Sequence, residues 1–257
     1  MPVYVCSDLH GNYNKWCKLL KAINFSENDY MYILGDVIDR GDEPIKLLKD
    51  IQIRSNCTLL MGNHELMMIN AKDTQKQNSI GNSVLWYNNG GDITDKQFNN
   101  LSVNEQKDIM SYVKNLPLIC LGLKVPKICK DGHIKEINYY LSHAGYGHIY
   151  YPVKNKDKPT LYFYQDAYAE ESTILWERDI PAPNEMLKCQ YKNTIFIHGH
   201  TPTRKIINNG EIFPLVKNGR IKISNKHIIN VDCGSYGPKK YCTVGCLRLN
   251  DYKEFYV

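Results

Sequence analysis

Gly35-Asp36-Val37-Ile38-Asp39-Arg40-Gly41 follows directly on the apolar run Tyr30 to Leu34, and this junction sets how the rest of the chain is read. The run has the length and character of a buried strand, and the glycine and aspartates after it mark the strand's carboxyl end. Toward the N-terminus, Trp16, Leu19, Leu20 and Ile23 form one apolar helical stripe. Before that stripe, Val3 to Cys6 reads as a strand that runs into Ser7-Asp8-Leu9-His10-Gly11-Asn12. Toward the C-terminus, Ile45, Leu48 and Ile51 share a helical face with Pro44 near its start. The next strand, Thr58 to Met61, ends at Gly62-Asn63-His64-Glu65. Three strands joined by two helices predict a parallel sheet and an α/β class.

Further strand-like runs lie at Tyr139 to Leu141, Thr194 to Ile197 and Ile228 to Val231. From about residue 205 onward, short runs with Gly turns predict antiparallel pairing, so the sheet content is mixed. Gln75 to Leu116 reads as polar helix interrupted at Trp86 to Asp92, an insertion placed to cap a site. Tyr150 to Glu171, rich in Lys, Pro and Tyr, reads as a loop that is either a substrate rim or surface packing. With no linker, repeat or low-complexity tract, residues 1–257 are expected to form one domain.

The chain has 257 residues, of which 43% are hydrophobic, enough for a large core. Its charge of +5 is dispersed over 32 basic and 27 acidic residues, so no nucleic-acid partner is expected. No apolar run approaches the roughly 20 residues of a membrane span, and no signal-peptide pattern opens the chain. Nine irregularly spaced cysteines read as reduced thiols, which with the absent signal predicts a cytoplasmic protein. Cys233, Cys242 and Cys246 lack the paired spacing of a structural zinc site and are expected to be packed thiols.

The informative polar residues sit just past the strands: Asp8, Asp36, Asn63 and His143, with His200 following the run that ends at His198. In open α/β sheets, ligands bind beyond the carboxyl ends of strands, where residues far apart in sequence converge. Carboxylates, imidazoles and an amide suit Mn²⁺, Fe or Zn²⁺ better than Ca²⁺. With His10 there are six candidate ligands, more than one catalytic ion needs. A carboxylate bridging two ions roughly 3.5–4 Å apart would use them all. Singly, Asp8 could cap a helix and His143 could be a core histidine. The ordered set, completed by Gly199-His200-Thr201, is not accounted for in that way.

These blocks resemble the phosphoprotein phosphatase family of calcineurin-like metallophosphoesterases, in its bacterial and phage branch. The likeness extends to Leu66-Met67-Met68, Asn89-Gly90-Gly91, Leu116-Pro117-Leu118, Ser142-His143-Ala144, Trp176-Glu177-Arg178 and Val231-Asp232-Cys233-Gly234. It implies a four-layer αββα sandwich with mixed β-sheets. It also implies two divalent ions, most readily Mn²⁺, with Asp8 and His10 on one, Asn63, His143 and His200 on the other, and Asp36 bridging. Arg40 and Arg178 match the family's phosphate-binding arginines, and a planar guanidinium suits two phosphoryl oxygens. His64 matches the general acid and Asp39 the residue that orients it and favours its protonated form.

The activity so implied is hydrolysis of phosphoserine and phosphothreonine, with phosphotyrosine as a further acceptor class, by direct attack of a metal-bridging hydroxide. The expected partner is a phosphorylated protein or peptide, with no nucleic acid and no membrane. The alternative within the same metal-site group is a symmetrical diadenosine tetraphosphate hydrolase. Asp39 and Glu65 stand where that relative tends to carry Asn and Asp. A third reading is an inactive scaffold that binds phosphorylated partners. Ser7 departs from the family's usual Gly, His198 is a candidate to support the ligands from behind, and His133, His148 and His227 belong to no motif.

Overall fold

The computed structural model describes residues 1–73, 79–129, 131–145, 151–153, 160–162, 167–178, 194–203, 205–207, 215–217, 219–224, 227–237 and 242–257. Strand β1 (Val3–Cys6), helix α1 (Tyr13–Ala22), strand β2 (Tyr30–Ile33), helix α2 (Pro44–Gln52) and strand β3 (Cys57–Leu59) form the expected parallel unit. In the α1 stripe Trp16 and Leu19 are fully buried, whereas Leu20 is half-buried. Pro44 opens α2, where its missing N–H has no helical partner to lose.

Helix α3 (Asn63–Lys72) starts immediately at the third ligand block, followed by α4 (Ser79–Asn88), α5 (Asp92–Asn99) and α6 (Val103–Lys114). The sequence predicts a break from Trp86 to Asp92, but α4 continues through Trp86 to Asn88 and only Asn89 to Gly91 is irregular. Burial of the Trp86 indole holds the helix to that point, and Gly90 turns the chain at φ 91°.

The remaining strands are β4 (Ile119–Ile128), β5 (Ile134–Ser142), β6 (Tyr151–Val153), β7 (Thr160–Tyr162), β8 (Thr194–His198), β9 (Lys205–Ile207), β10 (Leu215–Lys217), β11 (Lys222–Ser224), β12 (Ile228–Asn230), β13 (Gly245–Arg248) and β14 (Lys253–Tyr256). Helix α7 (Ala167–Trp176) lies between β7 and β8. Within Tyr150 to Glu171, β6 and β7 pair as a hairpin and α7 begins at Ala167. The rest of that segment, with His148 before it, lies outside the described residues.

Two five-stranded mixed sheets run in the orders β14-β13-β1-β2-β3 and β11-β12-β8-β5-β4. Strand period two divides β1 between two cores. Val3 and Val5 meet Tyr139, Leu141, Ile197 and Ile229 between the sheets, whereas Tyr4 and Cys6 join Trp16, Met68 and Trp86 under the helices. The chain is thus a mixed α/β sandwich, and both sheets bring parallel strands to one end.

Candidate metal centre

The strand ends of both sheets meet. Asp8, Asp36 and Asn63 follow β1, β2 and β3, while His143, His200 and Asp232 follow β5, β8 and β12. Backbone conformation tightens the convergence. Asp8 (φ 53°), His10 (43°), Asp36 (54°), Asp39 (68°), Arg40 (66°) and His200 (64°) are all left-handed. That region is uncommon for side-chain-bearing residues, least so for Asp and His, and it clusters at functional sites. Gly62 and Gly199 are required by close approach: a Cβ on Gly62 would strike the Asp36 carboxylate, and one on Gly199 would strike Ser7 and Asp8.

Asp36 is the geometric hinge of the cluster. Its Oδ2 lies 3.7 Å from His10 Nε2, and its Oδ1 lies 3.5 Å from His143 Nε2. Asn63 Oδ1, His143 Nε2 and His200 Nδ1 lie within 2.9–3.2 Å of one another. His143 donates Nδ1–H to the Leu34 carbonyl at 2.6 Å, which turns Nε2 toward the Asn63 oxygen. Imidazole nitrogen beside an amide oxygen is a donor set that suits a divalent transition ion. Asp8 adds a carboxylate that accepts the His200 backbone N–H at 3.0 Å and the Ser7 hydroxyl. Two sets, His10 with Asp36 and His64, and Asp36 with His143 and His200, could each hold a metal ion, and they share Asp36.

Burial sets the charges. It pushes the Asp36 carboxyl well above the usual range, with Asp8 and Glu65 adding to the effect, and it also raises Asp8. The imidazoles move the other way. Burial lowers His10 strongly and takes His200 to about 2, helped by His143 and Arg178. Neutral imidazoles keep their lone pairs for coordination, and crowded carboxylates call for positive charge.

Beside this cluster, His64 donates Nδ1–H to Asp39 Oδ2 at 2.6 Å and accepts at Nε2 from Arg40 Nη2 at 2.9 Å. Arg40 Nη1 reaches His10 Nε2 at 2.8 Å. The sequence predicts a His64 held protonated by Asp39. Instead burial, then Arg40 and His143, lower His64 well below the usual imidazole range, while burial raises Asp39 to about 7. Asp39 is fixed by the inserted helices: Trp86 Nε1–H donates to Oδ2 at 2.8 Å and the Thr94 hydroxyl to Oδ1 at 2.5 Å. The Asn89 and Gly90 carbonyls accept from Arg40 Nε and its backbone N–H. Arg178 is exposed and lines the same cavity of about 160 Å³ as Asp8, His10, Asp36, Arg40, Asn63, His64 and His200. His198 is buried and turns Nδ1 to the Gly199 carbonyl at 3.1 Å, in neither ligand set.

Sequence reasoning assigns no role to Trp86, Thr94, Asp232 or Tyr236, nor to Glu65 beyond its block. Glu65 is fully buried and its carboxylate accepts the backbone N–H groups of Asp36 (2.8 Å), Val37 (2.9 Å) and Gly62 (3.0 Å). It therefore ties two ligand loops together. A Glu at N3 of a helix is a legible capping signal, but its reach to the Asp36 loop is not. Glu65→Gln puts an amide N–H against one of these donors. The expected cost is about 3 kcal/mol of stability, read by urea unfolding. A change below about 0.5 kcal/mol would contradict this role.

Acceptor-rich strand ends beside two arginines define a metal-dependent hydrolase of anionic esters. A family model described as calcineurin-like phosphoesterase matches residues 1–227. The chain belongs to the calcineurin-like phosphoesterase family, which binds a dinuclear metal centre. The symmetrical bis(5'-nucleosyl)-tetraphosphatase of Buchnera aphidicola subsp. Schizaphis graminum is 32% identical over 84 residues, covering 32% of this chain and 31% of that protein. Its counterpart in Colwellia psychrerythraea is 24% identical over 155 residues, covering 56% and 47%. The matches thus span from about a third to about half of those relatives. A solved candidate diadenosine tetraphosphatase and a protein serine/threonine phosphatase from Saccharomyces cerevisiae each superpose on 100% of this chain. Both have a TM-score of 0.54 and 16% identity, covering 92% and 79% of those chains, a likeness of fold. Among the described residues no helix is long and apolar enough to cross a membrane.

Proposed function

We propose that this chain is a metal-dependent phosphoesterase that cleaves dinucleoside tetraphosphates symmetrically. The observation that carries this reading is the continuation of the metal cleft. The cavity of about 160 Å³ shares His10, Arg40, Ser235 and Tyr236 with a second cavity of about 490 Å³. The smaller space suits a phosphoryl group, whereas the two together suit a long anionic substrate. The curated relatives named above carry the same activity in their names.

Asp8, His10, Asp36, Asn63, His143 and His200 would hold two divalent ions, with Mn²⁺ as the preferred metal. Such ions lower the pKa of a coordinated water to roughly 7 and offset phosphate charge. Arg40 and Arg178 grip the phosphoryl oxygens. Arg40 also donates to His64 Nε2 at 2.9 Å, which links the phosphate grip to the Asp39–His64 pair.

A second reading, phosphomonoester hydrolysis of the protein-phosphatase kind, is favoured by the Asp39–His64 pair itself. An alkoxide leaving group needs a proton, whereas a nucleoside diphosphate leaves readily as an anion. One assay under Mn²⁺ separates the two, comparing diadenosine tetraphosphate with phosphoserine, phosphothreonine and phosphotyrosine peptides. The expected result is a kcat/KM for the dinucleotide at least about tenfold above any peptide. The reverse order would give the protein-phosphatase reading first place.

A further inference from the structure

Among the described residues, one further group of side chains gathers its donor atoms within 4.8 Å, as the two ligand sets of the metal centre do: Cys129, Asp131 and His133. These residues make the turn between β4 and β5. The pairing of Lys127 with Lys135 and of Ile128 with Ile134 continues to Cys129 opposite His133, where the Cys129 backbone N–H donates to the His133 carbonyl at 2.9 Å. Directly opposed residues of a hairpin project to one face. The Gly132 N–H donates to the Cys129 carbonyl at 2.9 Å, and Gly132 takes the left-handed φ of 84° that closes such a turn. This tight reversal brings Asp131 back onto His133. Its Oδ1 accepts the His133 backbone N–H at 3.3 Å and lies 2.5 Å from His133 Nδ1.

Thiolate, carboxylate and imidazole together suit Zn²⁺, whereas Ca²⁺ and Mg²⁺ favour oxygen alone. Tetrahedral zinc holds sulfur at about 2.3 Å and nitrogen or oxygen at about 2.0–2.2 Å, which sets the donors about 3.4–3.6 Å apart. Cys129 is half-buried and in no disulfide, while the His133 and Asp131 side chains are 61% and 68% exposed and have room to rotate to that spacing. The ion would take the place of the proton between His133 Nδ1 and Asp131. A thiolate and a carboxylate balance its two charges, so Lys127 and Lys135, on the same face two residues back, meet a neutral set. Lys127 is also drawn aside, with its ammonium 3.2 Å from the centroid of the Tyr252 ring. The nine residues of β5 separate this turn from His143 by about 30 Å, at about 3.3 Å per residue.

We propose that the β4–β5 turn is a separate mononuclear metal site that takes Zn²⁺ through Cys129, Asp131 and His133, with water as the fourth ligand. Binding displaces the Cys129 thiol proton and any proton on the coordinating imidazole nitrogen.

The test titrates the metal-free full chain with Co²⁺ and reads the near-ultraviolet charge-transfer band of a thiolate–Co²⁺ bond. The six ligands assigned to the dinuclear centre contain no sulfur, so that centre does not contribute to the band. Wild type is expected to develop the band and to lose it when Zn²⁺ is added. Cys129→Ser, close in size to the native residue, is expected to abolish it. His133→Ala and Asp131→Asn, at exposed positions where substitution barely changes stability, are each expected to raise the Co²⁺ concentration for half-formation by about tenfold or more. No band in wild type, a band retained in Cys129→Ser, or wild-type affinity in both His133→Ala and Asp131→Asn overturns the site.

Discussion

Asp36→Asn is expected to lower turnover of every phosphate ester by about a thousandfold or more, because Asp36 is the one residue common to both ligand sets. An amide keeps the oxygen that accepts the His64 backbone N–H at 3.1 Å, so the loop has the partner it needs. It loses the charge that two cations require. The metal-free fold is not expected to suffer, since the carboxyl is crowded by burial, Asp8 and Glu65 and its removal relieves that crowding.

Thermal unfolding separates these effects. At a thousandfold excess of Mn²⁺ over Kd, binding stabilises a protein by about 4 kcal/mol, or roughly 10 °C for a domain of this size. Wild type is expected to show that rise on Mn²⁺ addition, and Asp36→Asn to lose most of it while its metal-free Tm is no lower than that of wild type. Wild-type turnover in Asp36→Asn, or an undiminished Mn²⁺ shift, would sink the bridging role.

His64→Asn divides substrates by their leaving groups. Loss of a general acid costs about 10²–10⁴ where an alkoxide must depart, so phosphoserine peptides are expected to slow by about 10²-fold or more. Diadenosine tetraphosphate and p-nitrophenyl phosphate, whose leaving groups are stable anions, are expected to slow less than about fivefold. His64 is in hydrogen-bond contact with Asp39 and Arg40, so Asp39→Asn is expected to reproduce the pattern more weakly. Equal losses on all three substrates would remove His64 from the acid role and place it with the ligands, consistent with its 3.8 Å approach to Asp36.

The downward push of burial on His64 shows why an adjacent carboxylate alone does not predict an imidazolium. Both partners are buried, and removing two charges from water opposes their pairing. Arg40 adds a positive charge at Nε2, which opposes protonation there. The residue types around His64 were readable, but their burial and the side on which Arg40 lies were not.

The sequence by itself determined which polar residues stand just past the strands, the parallel strands and the helices that join them. Strand period, helical stripes and punctuating glycines are local signals, and a polar residue just past an apolar run marks a strand end wherever the strand goes. Only the tertiary structure decided which strand ends belong to which of the two sheets. It also brought Trp86 and Thr94 onto Asp39, set Glu65 under the Asp36 loop and opened a tyrosine-lined groove of mixed charge beside the metal cleft. Those contacts join residues 47, 55 and 29 positions apart, and Tyr236 meets His10 from the far end of the chain. Packing between layers creates such pairs, and no periodicity within either segment encodes its partner.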